Sequence, residues 1–417
     1  MTGRDAEIVT WVTGRQNHLL ETVAAWARIG SHSLDGPGLA RMADTVAAEC
    51  GRLGVVHRHA VPPRQWIDDQ GRSIEEPLGT VLSLRHVAPR ERLRVLLAIH
   101  YDTVYPPRSE PPQVELAAAG NILRGPGVAD AKGGLVVLLA ALEACLRHGA
   151  GDTLSWEVLV NADEELGSPG SAALLAAAAG RSDLGLIFEP ALDESGSLAA
   201  ARKGSGNFTL VVHGRAAHAG RRLAEGRNAV VAAAELATML VGLADEARGI
   251  SINVAAIHGG KALNVVPDLA VVRVNVRTVT EADAAWVEAR LAAIVAAMHC
   301  REGFSASLTG SFHCPPKPFD GPTRLLFEHV AACGHDLGLA IKAVPTGGVC
   351  DGNKLAAAGL PTLDTLGVRG GGIHSDAEYL VVESLAERAA LVAILLCRLA
   401  DGTLPWPNSA REPPPCS

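Results

Sequence analysis

Seven side chains able to hold a cation or move a proton stand in order along the chain: His100, Asp102, Asp130, Glu164, Glu165, Glu189 and His374. His100 and Asp102 follow the apolar run Leu93–Ile99, and Glu164 and Glu165 follow Thr153–Val160. Asp130 sits in the glycine-rich stretch Gly125–Gly134, Glu189 stands just before Pro190, and His374 lies in Gly370–Asp376. Two imidazoles and three carboxylates are the donor set that a pair of divalent ions prefers when one carboxylate bridges them. Imidazole with carboxylate suits zinc, with cobalt or manganese as substitutes. Bringing so many anions together without cations would be electrostatically costly. Taken singly, His-x-Asp is a common strand end and Asp-Glu-Glu an ordinary acidic turn. The ordered set is what points to a metal pair.

Such residues can meet only if the right elements carry them. Up to about residue 200, short apolar runs (Leu93–Ile99, Thr153–Val160, Leu184–Phe188) alternate with helical patterns (Lys132 to about Arg147, Ser168 to about Ala179). A further strand is expected at Thr362–Leu366. That alternation predicts an α/β fold with a mostly parallel sheet, whose ligands sit beyond the carboxyl ends of the strands. From about Gly204 to Cys314 the order changes to strand, helix, strand, strand, helix, strand (Phe208–His213, Asn228–Leu243, Ile252–Ile257, Leu269–Arg277, Ala282–Met298, Ser305–Ser311). This is the order of a split β-α-β unit. The expected organisation is therefore a catalytic domain of residues 1–203 and 315–417, interrupted by a smaller α+β, ferredoxin-like domain at 204–314. Ser384 and Glu387 have the spacing of a capping box for a last helix over Leu385–Leu399. The proline-rich tail after Leu404 is expected to be disordered. The polar stretch Pro62–Pro77 has the length of an elaborated hairpin or a loop.

At 417 residues the chain is long enough for two domains. A formal net charge of −8 argues against nucleic acid or an anionic membrane as partner. Apolar stretches are broken before membrane-spanning length, and the first residues lack a basic-then-apolar leader. The eight cysteines include no CxxC pair, and Cys300 and Cys314, which flank a predicted strand, are expected to stay reduced. Together these features predict a cytoplasmic protein.

The segments His100-Tyr101-Asp102-Thr103-Val104, Gly125–Gly134, Asn161–Ser168, Phe188-Glu189-Pro190, Gly214–Gly220 and Gly372–Ser375 resemble the metallopeptidase family that includes carboxypeptidase G, acetylornithine deacetylase, succinyl-diaminopimelate desuccinylase and aminoacylase. The segments Thr346-Gly347-Gly348, Asp351 and His374-Ser375-Asp376 are most similar to its carboxypeptidase G-like members. The resemblance implies a dizinc hydrolase that cleaves an amide bond in a substrate bearing a carboxylate. By it, His100 and Glu189 hold one zinc, Glu165 and His374 the other, and Asp130 bridges them. Asp102 orients His100, and Glu164 is the general base. It further implies a homodimer, in which His218 of the smaller domain stabilises the oxyanion across the subunit boundary. Asn264, Arg277, Gly347 and Gly348 match positions that grip the substrate carboxylate.

Within that class the sequence leaves carboxypeptidase and N-acyl-amino-acid deacylase unseparated. A dipeptidase or aminopeptidase is the alternative, with Asp351 or Asp376 as the acid that would receive a free amine. A non-catalytic binding relative would have lost ligands or base, and all are present. Cys350 is expected to be a buried thiol near the pocket with no histidine to activate it. The absence of Lys and Arg from Ala191–Ala201 weakens the case for an acidic substrate side chain there.

Overall fold

Along the strand Leu93–His100, alternate side chains enter opposite cores. Leu93, Val95, Leu97 and Ile99 join one, while Leu96 and Ala98 join the other. A period of two with both faces apolar requires helices above and below the sheet. The computed structural model, which describes residues 1–107, 109–110 and 112–407, has that three-layer arrangement. The six-stranded sheet runs in the order His57–His59, Val81–His86, Leu154–Asn161, Leu93–His100, Leu184–Ile187, Thr362–Leu363. The last four of these strands are mutually parallel, and the first two join antiparallel at one edge. Four polar segments therefore leave neighbouring strands at the same end of the sheet.

Helices Gly3–Thr13, Gly134–Arg147 and Ser384–Ala400 contribute to the larger core. Ala172–Ala179 and Asp351–Ala357 cover the other face. The Gly134 backbone comes so close to the Leu184–Ile187 segment that a Cβ there would lie 1.9 Å from the carbonyl oxygen of Phe188. The Gly133-Gly134 pair is thus a packing requirement of this helix start.

Two helix starts depart from expectation. The helix expected from Ser168 begins only at Ala172. Ser168 has φ 53°, outside helical space, and the Ser171 hydroxyl donates to Asp163 at 2.6 Å. The last helix forms without the predicted capping box, and its N-cap is Glu383 with no side-chain cap bond. Arg369 takes both members instead. Its backbone N–H donates to Ser384 Oγ (3.0 Å), and its guanidinium donates to both oxygens of Glu387 (3.2 and 3.0 Å). The tail is also more ordered than its prolines predict, since Trp406 is buried against His329. Residues 408–417, the remainder of that expectation, lie outside the described residues.

Residues 204–314 form a separate antiparallel sheet in the order Ser251–Gly259, Leu269–Thr278, Gly204–His213, Ser305–Cys314. Helices Ala229–Val241 and Glu281–His299 pack on the face made by Phe208, Leu210, Val212, Val272, Val274 and Val276. The chain enters and leaves this layer side by side, where Arg202 and Lys317 exchange backbone hydrogen bonds of 3.0 Å. The Pro62–Pro77 stretch is a hairpin of Arg64–Ile67 and Ser73–Glu76. It lies against the sheet face opposite the helices. Asp69 accepts from Arg273 at 2.7 Å, and Trp66 has the guanidinium groups of Arg64 and Arg273 each 5.5 Å from its ring centroid. Gly71 sits over Val211. The fold is thus mixed α/β with a smaller α+β layer. No described helix is long and apolar enough to cross a membrane.

Candidate metal centre and active site

Parallel strand ends bring the acidic and imidazole groups together. His100 ends its strand in register with Asn161, so the Glu164–Leu166 turn that follows Asn161 lies beside it. His100 Nε2 lies 3.1 Å from Asp130 Oδ1 and 3.7 Å from Glu189 Oε2. On the other side of Asp130, His374 Nε2 lies 3.2 Å from Asp130 Oδ2 and 3.2 Å from Glu165 Oε2. Two donor groups result, His100–Asp130–Glu189 and Asp130–Glu165–His374, each with its ligand atoms within 4.8 Å of one another. Asp130 belongs to both, one oxygen facing each. His374 points inward from a left-handed backbone, φ 60°, a region costly for a residue with a side chain.

The electrostatics describe a site short of positive charge. Burial, and then Glu189, push the Glu164 carboxyl well above the usual carboxylate range. Burial lifts Glu165 to about 7 against the hydrogen bond from His374. Burial also raises Glu189, whose Oε1 is a buried oxygen with no hydrogen-bond partner among the described residues. Burial would raise Asp130 as well, but hydrogen bonds from His100 and His374 outweigh it and hold the group low. Hydrogen bonds to Asp130 and Glu165 raise His374 to about 10. Burial disfavours a charged His100, yet Glu189, Asp102 and Asp130 hold its pKa well above the ordinary value. Divalent ions would balance these clustered carboxylates more fully than protonated imidazoles could. The donor set, the shared carboxylate and the unpartnered Glu189 oxygen all fit such ions.

Around this centre, Asp102 is fully buried and faces His100 Nδ1 at 3.3 Å, while its backbone carbonyl lies 3.0 Å from the same nitrogen. Its carboxylate also accepts the backbone N–H groups of Glu164 (3.2 Å) and Glu165 (3.3 Å) and the Ser33 hydroxyl (2.7 Å). One side chain thus orients His100 and the turn bearing both glutamates.

A cavity of about 730 Å³ opens over the cluster, with Arg277, Gly348 and Cys350 in its wall. Arg277 donates to Asn275 Oδ1 (3.0 Å) and to the Gly347 carbonyl (3.4 Å), and no carboxylate among the described residues pairs with it. Gly348 N–H is directed at the Thr346 hydroxyl (3.3 Å). Cys350 is buried, its Sγ accepts from Gly352 N–H (3.3 Å), and burial pushes its thiol up. The seven described cysteines are free thiols, Cys300 and Cys314 included.

His218 and Asn264 are not in this wall. His218 lies at the surface of the antiparallel layer beside Arg215, Arg221, Arg222 and Arg227. The Asn264 carbonyl accepts from Ala219 N–H (2.9 Å) in the same region. Asp351 is consumed inside the protein by Asn161, Ser168 and Lys354, which removes it as a receiver of a substrate amine. Asp376 lines an adjoining cavity with Tyr105 and Ser375.

Sequence reasoning missed several groups. His313, Asn207, Asn275 and Arg64 line the cavity over the cluster, and burial lowers His313 to about 4. Arg202 follows directly on the stretch noted for lacking cations. It reaches Asp364 (2.7 Å) and the Gly348 carbonyl (3.1 Å), and Asp364 also binds the buried Lys317 (2.9 Å). The period-two pattern of Leu269–Thr278 could have placed Asn275 and Arg277 on one face. His313 and Arg64 carried no such signal.

Comparison with known proteins accords with this geometry. Residues 96–398 match the model of peptidase family M20/M25/M40. The chain is 27% identical to carboxypeptidase G2 of Pseudomonas sp. (strain RS-16), over 96% of this chain and 93% of that one. Among solved structures it resembles a tripeptidase of Staphylococcus aureus (TM-score 0.73, 19% identity, 93% of this chain and 99% of that one). It also resembles human carnosine dipeptidase 1 (TM-score 0.69, 15% identity, 96% and 99%). At those identities the structural likenesses speak for the fold alone. The matched range takes in the clustered histidines and carboxylates, and by this match the chain belongs to peptidase family M20/M25/M40, a family of metal-dependent hydrolases.

Proposed function

We propose that this protein is a two-metal hydrolase, with zinc as the metal, that cleaves an amide bond in a substrate bearing a free carboxylate, as a carboxypeptidase or N-acyl-amino-acid deacylase. The observation that carries the reading is the pair of donor groups sharing Asp130, set in a cavity whose wall includes Arg277, a guanidinium with no acidic partner among the described residues.

In this reading His100, Asp130 and Glu189 hold one ion, and Asp130, Glu165 and His374 the other. Bound ions would make the attacking water more acidic and polarise the scissile carbonyl. Glu164 takes the proton from that water and delivers it to the leaving nitrogen. Asp102 keeps His100 in one tautomer and orientation. The planar fork of Arg277 binds the substrate carboxylate through both oxygens, with Asn264 and the Gly347–Gly348 backbone as further contacts. A dipeptidase or aminopeptidase is the alternative reading; Asp351 is already paired, which leaves Asp376 as the acid to receive a free amine.

His218 and Asn264 fit through a second copy of the chain. Gly220 N–H donates to His218 Nδ1 at 3.2 Å, which leaves the proton on Nε2, the nitrogen free to donate to an oxyanion. The surrounding arginines suit an approach to the partner's acidic cavity. Among the described residues, strand Ser251–Gly259 is an edge strand with one side unpaired. His218→Ala homodimers are expected to be inactive, and mixing them with inactive Glu164→Gln homodimers should restore part of the activity through exchanged subunits. No recovery despite demonstrated exchange would place His218 outside the partner's site.

The decisive test is metal content by elemental analysis, with hydrolysis of N-acyl amino acids, dipeptides and tripeptides measured before and after chelation. About two ions per chain and chelator-sensitive release of a carboxylate-bearing amino acid are expected. A chain that takes up no zinc and cleaves nothing sinks the reading.

A further inference from the structure

Glu378 is 1% exposed and four positions beyond His374. Its carboxylate accepts from every side. Oε1 takes the backbone N–H groups of Ala129 (2.8 Å) and Asp130 (2.9 Å). Oε2 takes the N–H of Gly127 (2.8 Å) and the phenol of Tyr105 (2.5 Å). The Glu378 carbonyl additionally accepts from Gly125 N–H at 3.2 Å. Three backbone donors converging on one carboxylate make an anion nest in which the anion is a side chain of the same protein. A buried carboxylate is costly unless its oxygens are hydrogen-bonded, and here both accept twice.

The placement of these bonds matters more than their number. The Gly127–Asp130 turn leads into an irregular helical segment, Val128–Gly133, in which Asp130 itself departs from helical angles (φ −114°, ψ 91°). It carries the one carboxylate shared by the two donor groups, and the segment it is tied to carries His374. We propose that Glu378 is a positioning residue of the metal centre. It fixes the Asp130 turn against the His374 turn, so that the two Asp130 oxygens face His100 and His374 at the observed 3.1 and 3.2 Å. Tyr105 is its auxiliary, since the phenol holds the Oε2 oxygen that receives Gly127. Glutamine cannot replace Glu378, because its NH₂ group would meet N–H or O–H donors on one side and leave them unsatisfied.

This inference rests on the two-metal reading, and metal titration separates the two. Metal-free wild type, Glu378→Gln and Tyr105→Phe are titrated with zinc against a chelating indicator and with cobalt by visible absorption. Zinc affinity is expected to fall about 10- to 100-fold in Glu378→Gln and by a smaller factor in Tyr105→Phe. An altered cobalt spectrum should accompany the loss in both. A purely structural role would lower the melting temperature but leave affinity and spectrum at wild-type values in the folded protein, and that outcome overturns the proposal. If Glu378→Gln does not fold, Tyr105→Phe decides by the same two readouts. If wild type itself binds no metal, the functional reading falls and this inference with it.

Discussion

Glu164→Gln is expected to lower turnover by about 10²- to 10⁴-fold while metal content stays at the wild-type value. Glutamine keeps the length and planarity of the side chain but has no oxygen that can accept and release a proton at neutral pH. The backbone should not respond, because the turn is held through the N–H groups of Glu164 and Glu165 on Asp102 (3.2 and 3.3 Å) rather than through the Glu164 side chain. The neighbouring substitution supplies the contrast. Glu165 faces His374 at 3.2 Å within one donor group, so Glu165→Gln should lose metal before it loses chemistry. Elemental analysis and single-turnover rates on both variants separate the two roles. Metal loss from Glu164→Gln, with retention in Glu165→Gln, would reverse the assignment.

The second large effect is a coupling of metal to protons. Without ions, His374 holds its proton up to about 10 and Glu165 up to about 7, because protons are then the only cations at the site. Zinc must displace them, so uptake at neutral pH should release protons into a weakly buffered solution. Apparent affinity should rise about tenfold per pH unit for each proton released. Stability should follow. Glu165 titrates near 4.5 when unperturbed and near 7 in the folded, metal-free chain. Its contribution is therefore full below about 4.5 and is lost as pH rises through about 7. The raised His374 acts in the same direction at higher pH. Asp130, held low, acts oppositely, losing its contribution only in strong acid. The melting temperature of the metal-free protein is thus expected to fall between pH 5 and 8, and the gain on adding zinc should widen over the same interval. Calorimetry on chelated and reloaded samples measures both. A zinc-induced gain that is flat with pH would mean that the clustered groups do not exchange protons for metal.

The residues that meet at the centre were legible because each closes a strand or occupies a glycine turn, and parallel pairing forces such ends to one edge of the sheet. The antiparallel layer was legible from its change in the order of strands and helices. What escaped depends on contacts distant in sequence. Ser384 and Glu387 have the spacing of a cap, but Arg369 offers each a stronger partner. Glu378 looks like one more acid in a polar turn until the Gly127–Asp130 backbone arrives opposite it, some 250 positions away in the chain. The Arg202–Asp364–Lys317 group joins three segments, none of which announces the others. His218 has a recognisable motif, yet it lines a separate surface pocket with Arg215, Arg221 and Arg222 rather than the cavity over the cluster.

The hairpin of residues 64–76 also bears on motion. A body joined by two strands side by side, as at Arg202 and Lys317, keeps one easy rotation, like a door on a hinge. Asp69 grips Arg273, which pairs with Thr209. That point is five residues along the strand from Gly204, a lever arm of roughly 16 Å. The ion pair is partly open to solvent, and such pairs contribute about 1 kcal/mol or less. The ion pair is therefore a catch rather than a bolt. If the antiparallel layer turns over the cavity when a substrate binds, this pair is expected to set its resting angle and to loosen as ionic strength rises.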